Sequence, residues 1–380
     1  MRVVVTTAAF PDPPGSPAGG VATAVDGLVA GLKRVRPDLD LHVLLCPAGD
    51  GTGPRTLGDP PFTLHAIPGR ASGLTLLPGL TPRKRIEAYL RDLAPDVVHV
   101  QASAQYVDPR RWPAVLTVHG IRERDQLFRQ VPFRRLRARM LGWIERPVRR
   151  RYRHLVAISG YTARYLEGRV TGRLHFIPNA IAPEFFEGRR REAGPHVLFA
   201  GPVWPLKNVH GVIEAVGRLA RDGVDCTFRI AGPVRTASYR GRLESLVARW
   251  DVADRVQFLG SLDRASLRSE MAAARCLVLA SFQENAPMVV AEAGATGLAQ
   301  VVSPAGGTAE MIAPGYSGAL VDPHSPASIA DGLRPLLEDA ALAAEFGERA
   351  RAIAQIHRPE AVAERTLAVY DILRREAGAG

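Results

Sequence analysis

Short apolar runs recur along the chain, each followed by a loop marked by glycine or proline and then by a stretch with helical spacing. Residues 2–7, Leu41 to Cys46, Phe62 to Ile67, Pro95 to Val100, Pro113 to Gly120 and Leu155 to Ser159 read as strands in the first half. His196 to Gly201, Thr227 to Ala231, Arg255 to Leu259, Cys276 to Ser281 and Ala299 to Ser303 continue the series. Helices are expected ending over Gly31 to Arg36, from Thr81-Pro82 to about Leu93, over Val209 to Leu219, and at about 326–339, 340–356 and 359–376. This alternation predicts an α/β fold with parallel, doubly wound sheets. The polar stretch Glu187 to Glu192 reads as a linker, dividing the chain into 1–187 and 188–359. A chain of 380 residues is long enough for two full cores.

One stretch concentrates candidate chemistry. Glu284 falls in the loop after the strand Cys276 to Ser281, and Glu292 about a turn into a short helix that stops at Gly297, with Pro287 in its first turn. Ligands of open α/β sheets bind in the crevice at such strand ends. The backbone from Asn285 through Ala286, Pro287 and Met288 to Val289 faces that crevice, and its free N–H groups suit a phosphate. Two carboxylates beside a phosphate need neutral, hydroxyl-rich partners, and a nucleotide sugar offers both. A bare pair of glutamates at this spacing is otherwise two surface residues.

Ser281-Phe282-Gln283-Glu284, the second Glu eight positions on, Ala293 to Gly297, and Gly306-Gly307-Thr308-Ala309-Glu310 together resemble the donor-site signature of retaining glycosyltransferases of family 4. Gly19-Gly20 after the first strand, His119-Gly120, Ile177-Pro178-Asn179-Ala180-Ile181, Gly201 and Lys207 extend the match over essentially the whole chain. The resemblance implies the GT-B architecture, two facing Rossmann-like domains with the nucleotide sugar mainly in the second. It also implies that 360–380 packs back on the first domain through a crossing at His357-Arg358-Pro359. It gives Lys207 and the amides after Glu284 to the diphosphate, Glu284 to the sugar hydroxyls, Glu292 to the ribose, and His119 to the sugar or acceptor. In the resembled family the glycine that Gly20 matches lets donor phosphate and acceptor approach the backbone. The resemblance further implies that the sugar donor is a co-substrate, that the anomeric configuration is retained and that the acceptor is a hydroxyl on a lipid, polysaccharide or small metabolite, with no cofactor or metal expected. Asp38-Leu39-Asp40 has a metal-site spacing but lies where a helix meets a strand, and reads as structural. His99 also reads as structural.

Three departures stand out. Pro202 occupies the position where the resembled family has a diphosphate-binding Arg, and Ala180 and Ala182 replace its Gly and Asp. Arg235 is a candidate stand-in for the missing cation. Alternatives are another GT-B enzyme, such as a glycosyl phosphorylase or sugar-nucleotide epimerase, or a non-catalytic sugar-nucleotide binder, which Pro202 suggests.

The net charge of +11 invites an anionic partner, but lysine occurs only at 33, 84 and 207. An Arg-rich, Ala-, Gly- and Pro-rich composition reflects the coding habit of a GC-rich genome, so the charge carries less weight and each Lys more. From Leu127 to Arg153 the chain reads as helical and basic, with Phe133, Leu136, Met140, Leu141 and Trp143 interleaved. Either this is an amphipathic surface for anionic lipid or an anionic acceptor, or it is a solvated face in an Arg-biased chain. The aromatics do not alternate with arginines as a nucleic-acid stacking platform requires, so no nucleic acid is expected. No window of eighteen apolar residues exists, the start lacks a signal-peptide layout, and Cys46, Cys226 and Cys276 stand singly in apolar runs. These features point to a cytoplasmic protein with free thiols, with peripheral contact at the inner membrane face through 127–153 left open.

Overall fold

Val3, Val4 and Val5 are fully buried, and the strand they form, β1 (Arg2–Thr7), lies inside a sheet covered on both faces. A computed structural model describes residues 1–11, 16, 19–46, 53–68, 80–101, 104–128, 132–188 and 194–378. Most of the loop Pro11 to Gly20 and residues 189–192 of the expected linker lie outside that set.

β1 pairs in parallel with β2 (Asp40–Leu45) and β5 (Val97–Val100). With β3 (Arg55–Leu57), β4 (Phe62–Ala66), β6 (Ala114–Val118), β7 (His154–Ala157) and β8 (Arg173–Phe176), the order is β3-β4-β2-β1-β5-β6-β7-β8. Every pairing is parallel except β3 with β4. One face carries α1 (Gly20–Val35), whose Val25, Leu28, Val29 and Leu32 share a core with Val362, Leu367, Tyr370 and Leu373 near the C-terminus. The other is covered by α2 (Leu80–Leu93) through Ile86 and Leu90.

The basic stretch is two helices rather than one: α3 (Arg122–Phe128) and α4 (Arg134–Arg149). Pro132 lies in the break, where it withholds an amide and clashes with a preceding turn, and Phe133 turns left-handed (φ 55°) to start α4. α5 (Gly160–Leu166) follows, capped by Ser159, whose Oγ accepts from the Thr162 amide at 3.2 Å.

The chain leaves this unit after Ala182 and returns at His357, so the division falls five residues before the expected 187/188. The reason is α6 (Glu184–Glu187): its Phe185 and Phe186 are buried, and Glu184 lies 3.7 Å from Arg264 of the second unit. The exit and return points are tied together, Ile181 N–H donating to the His357 carbonyl (3.1 Å) and His357 Nδ1 lying 2.8 Å from the Asn179 carbonyl. Ala180 presses its carbonyl against α1 at Gly27, where a Cβ would stand 2.8 Å from that oxygen. Glycine there makes room for the Ala180 that replaces the resembled Gly.

The second unit, Pro183–Ile356, holds β9 (His196–Ala200), β10 (Thr227–Ala231), β11 (Val256–Gly260), β12 (Cys276–Leu279), β13 (Ala299–Val302) and β14 (Gly318–Leu320). They form a parallel sheet ordered β11-β10-β9-β12-β13-β14. The winding reverses between β9 and β12, which opens a crevice at their C-terminal ends. Its helices are α7 (Val209–Arg221), α8 (Ala237–Trp250), α9 (Arg264–Ala273), α10 (Met288–Ala295), α11 (Pro326–Glu338) and α12 (Ala340–Ala354). The last helix, α13 (Pro359–Gly378), belongs to the first unit. All three cysteines are buried and in no disulfide, and no helix among the described residues is long and apolar enough to cross a membrane.

Candidate functional site

The loops after β9 and β12 meet at the switch point of the second sheet. After β9 the chain passes Gly201, whose φ of +143° favours glycine, and extends the sheet by one bridge: Val203 N–H donates to Pro233 O (2.9 Å) and Arg235 N–H to Val203 O (3.0 Å). A short turn, Pro205–Lys207, then delivers Lys207 to the base of α7. Asn208 makes that turn possible in a left-handed conformation (φ 55°, ψ 33°), buried, with its Nδ2 on the Pro323 carbonyl at 2.7 Å. Asparagine is among the few residues that take this conformation routinely.

Two contacts bind this turn to the loop after β12. Phe282 N–H donates to the Leu206 carbonyl at 2.9 Å, and the Lys207 ammonium forms an ion pair with the Glu284 carboxylate. Both side chains are largely buried, so the pair is shielded more than a surface pair. From the other side the loop after β13 presses on Glu284. Gly306 (φ +61°) is so close that a Cβ there would lie 1.7 Å from the Glu284 carbonyl oxygen, and no other residue fits.

α10 begins one residue later than its sequence suggests: Pro287 is the N-cap and Met288 the first helical residue. Pro287 has no N–H to give, so it shapes the loop and donates nothing. The amides of Asn285, Ala286, Met288 and Val289 have no acceptor among the described residues, and the buried Asn285 Oδ1 has no donor. Glu292, one turn on, is 7% exposed. Burial drives its pKa up to about 7, with Arg264 acting against the rise.

In the first unit, Gly20 opens α1 after Gly19, its N-cap, and both are exposed. His119 follows β6 directly, at the same C-terminal rim as the end of β5. Its Nε2 lies 2.6 Å from Gln101 Oε1, while Gln101 Nε2 lies 3.0 Å from His99 Nε2. His99 is further held by Tyr370 Oη and Thr117 Oγ1, each at 2.7 Å. An amide spanning two imidazoles couples their tautomers: when its oxygen accepts from His119 Nε2–H, its NH₂ donates to an unprotonated His99 Nε2. His119 then keeps a lone pair on Nδ1. Burial lowers His99 to about 3 and His119 to about 4, so both rings are neutral at pH 7. Sequence reasoning missed Gln101, whose signal is only its position at the end of an apolar strand, and Asn208.

Other candidates resolve as structure. Asp40 is engaged by Arg2 and His42 at 2.5 and 3.0 Å, and Asp38 by Arg36 at 3.3 Å. Lys33, as rare a lysine as Lys207, is buried and donates to the carbonyls of Pro37 (2.6 Å) and Leu39 (2.9 Å). Rarity alone therefore does not mark a phosphate ligand. Arg235 is exposed, with its guanidinium 4.8 Å from the Trp204 ring centroid, beside the loop that holds Pro202.

Comparison with known proteins bears on this arrangement. Residues 18–185 match the family model described as Glycosyltransferase Family 4, and residues 181–353 the one described as Glycosyl transferases group 1. The D-inositol 3-phosphate glycosyltransferase of Streptomyces avermitilis is 32% identical over 180 residues, 46% of this chain and 39% of that protein. The glycogen synthase of Mycobacterium tuberculosis is 32% identical over 167 residues, 44% of this chain and 40% of that protein. The chain thus spans about two fifths of the length of these curated relatives. Among solved structures, the sucrose-phosphate synthase of Thermosynechococcus elongatus superposes with a TM-score of 0.81 at 20% identity, covering 99% of this chain and 100% of that one. HepE of Anabaena in complex with UDP and glucose gives 0.73 at 18% identity, covering 98% and 100%.

Proposed function

The chain belongs to glycosyltransferase family 4, with the two-domain GT-B fold of that family, and we propose that it transfers a sugar from a nucleoside-diphosphate sugar to a hydroxyl acceptor with retention of anomeric configuration. One observation carries the reading: Lys207 and Glu284, 77 positions apart, are brought into one ion pair at the switch point of the second sheet, beside the unpaired amides that open α10.

In this reading the ammonium of Lys207 and the amides of Met288 and Val289 take the diphosphate, a point charge and a helix start acting together. Arg235 supplies the second cation that Pro202 lacks. Glu284 exchanges its ion pair for sugar hydroxyls, Asn285 Oδ1 accepts one hydrogen bond, and Glu292 accepts from the ribose. In the first unit the acceptor lies at the rim formed by Gly20 and His119, whose neutral ring offers Nδ1 to a hydroxyl proton. The bond from the anomeric carbon to the diphosphate breaks as the bond to the acceptor oxygen forms on the same face, and the acceptor proton passes to the leaving phosphate. Catalysis then rests on positioning and on stabilising the departing charge.

Incubation with a panel of nucleotide sugars and hydroxyl acceptors, with released nucleoside diphosphate measured, tests this directly. Release from one donor, dependent on acceptor, and a product whose anomeric coupling in proton NMR matches the donor's are expected. Inversion, or tight donor binding without release under any acceptor, contradicts it.

A further inference from the structure

α4 is apolar on two opposite sides. Ala138, Leu141, Gly142 and Arg149 are buried, and Arg149 is locked to Glu123 of α3 by hydrogen bonds of 2.7 and 3.0 Å, which fixes that side inward. At about 100° per residue these positions cluster on one side of the helix. Phe133, Leu136, Met140 and Trp143, spaced by three, four and three residues, form a second stripe on the side away from them. That stripe faces solvent: Phe133 is 80% exposed, Leu136 56%, Met140 42% and Trp143 81%. Leu127 and Phe128, at the end of α3, are exposed as well. Six of the ten exposed large hydrophobic side chains among the described residues thus fall between 127 and 143.

The charge around the stripe is one-sided. Residues 122–153 contain twelve arginines against Glu123, Asp125 and Glu145, so most of the chain's net +11 sits here. Arg137 lies on one flank of the stripe, and Arg135 and Arg139 on the other. Arg134, Arg135, Arg137 and Arg139 are exposed and have no carboxylate partner among the described residues. They crowd the first turns of α4, where the helix dipole is already positive and no acidic residue stands. Arg134 with Arg137 and Arg135 with Arg139 are like-charge neighbours at i,i+3 and i,i+4, a destabilising arrangement in water. An anionic surface relieves both the repulsion and the exposure.

We propose that α3 and α4 dock on an anionic lipid surface, with Trp143, Phe133, Leu136 and Met140 entering the headgroup boundary and the flanking arginines pairing with lipid phosphates. A central apolar stripe with cationic edges matches that interface and not a polyphosphate, which needs the charges in the middle. A second copy of the chain fits poorly, since a two-fold contact here sets the same arginines against themselves. The surface belongs to the first unit and involves none of Lys207, Glu284 or Glu292.

Flotation of the full chain with vesicles tests it, using phosphatidylcholine alone and phosphatidylcholine with about a third phosphatidylglycerol. Binding to the anionic vesicles should exceed binding to the neutral ones by roughly tenfold or more and weaken with salt. Trp143 emission should shift to the blue on binding, a shift absent in Trp143→Phe. The double variant Phe133→Ser, Trp143→Ser and, separately, Arg135→Gln with Arg139→Gln should each lower the partition coefficient by about tenfold. All four positions are exposed, so the variants are expected to fold, and unchanged thermal unfolding checks this. No binding to anionic vesicles at low salt overturns the proposal. So does binding untouched by the Phe133, Trp143 variant, or concentration-dependent dimerisation that this variant abolishes.

Discussion

Lys207→Ala is expected to lower kcat/KM for the nucleotide sugar by about a hundredfold while leaving the fold intact. A charge-assisted hydrogen bond to phosphate contributes roughly 1.5–3 kcal/mol, and the upper end corresponds to about two powers of ten. The loss should exceed the loss in donor affinity, because negative charge on the diphosphate grows as the bond to the sugar breaks. The Glu284 ion pair adds a second consequence. Removing the ammonium leaves Glu284 largely buried without its partner, so Lys207→Ala should also lower the melting temperature of the unliganded protein, and Lys207→Ala with Glu284→Ala should recover part of that loss. Activity should not recover with it. Steady-state kinetics and thermal unfolding of the two single variants and the double separate the roles. Kinetics within twofold of the parent in folded Lys207→Ala would sink the assignment of the site.

The second large effect concerns Glu292. Its carboxyl titrates near 7 in the folded chain and at the ordinary 4.5 when unfolded. Between those values unfolding releases a proton, so stability falls as pH rises through the window and the loss is complete above pH 7. At 1.36 kcal/mol per unit the burden at pH 8 is about 3 kcal/mol. Glu292→Gln removes the ionisation, so it should be more stable than the parent at pH 8 by about that amount and nearly equal near pH 4.5. A buried ionisable group that weakens its own protein calls for a compensating role. If that role is the acceptance of ribose hydroxyls proposed above, donor affinity should drop in the same variant. Urea unfolding of both proteins across pH 4.5 to 8 provides the measurement; parallel stability profiles would show that Glu292 does not carry this burden.

Much of the fold was legible because parallel strands buried on both faces are written as unbroken apolar runs. Val3 to Val5, Val97 to Val100 and Cys276 to Leu279 show this most plainly. What lacked that signal was missed. α8 buries only Tyr239 and Leu243 and α9 only Met271, so neither has a readable apolar stripe, although the N-caps Thr236 and Asp263 mark their starts. The edge strand β3 is three residues long and partly exposed. Pro132, which splits the basic stretch, was present to be read but outweighed by the run of arginines around it.

The site divides in the same way. Glu284, Glu292 and the start of α10 were legible because strand, loop and helix follow one another within twenty residues. The contact between Lys207 and Glu284 was not, since it depends on β9 lying beside β12 in the sheet, an adjacency no local pattern encodes. The link from His119 through Gln101 and His99 to Tyr370 spans 271 positions at its last step and depends on α13 returning to the first unit. Glu292 lies a turn into α10 as the sequence places it, but its burial, which changes its chemistry more than its location, has no local signal.

Calorimetric titration of uridine, guanosine and adenosine diphosphates into the protein and into Lys207→Ala tests the central claim most directly. Binding of one of them with a Kd on the order of micromolar, weakened at least about tenfold in the variant, is the predicted result. Millimolar or undetectable binding of all three, or tight binding indifferent to Lys207, would contradict a donor diphosphate held at the switch point of the second sheet.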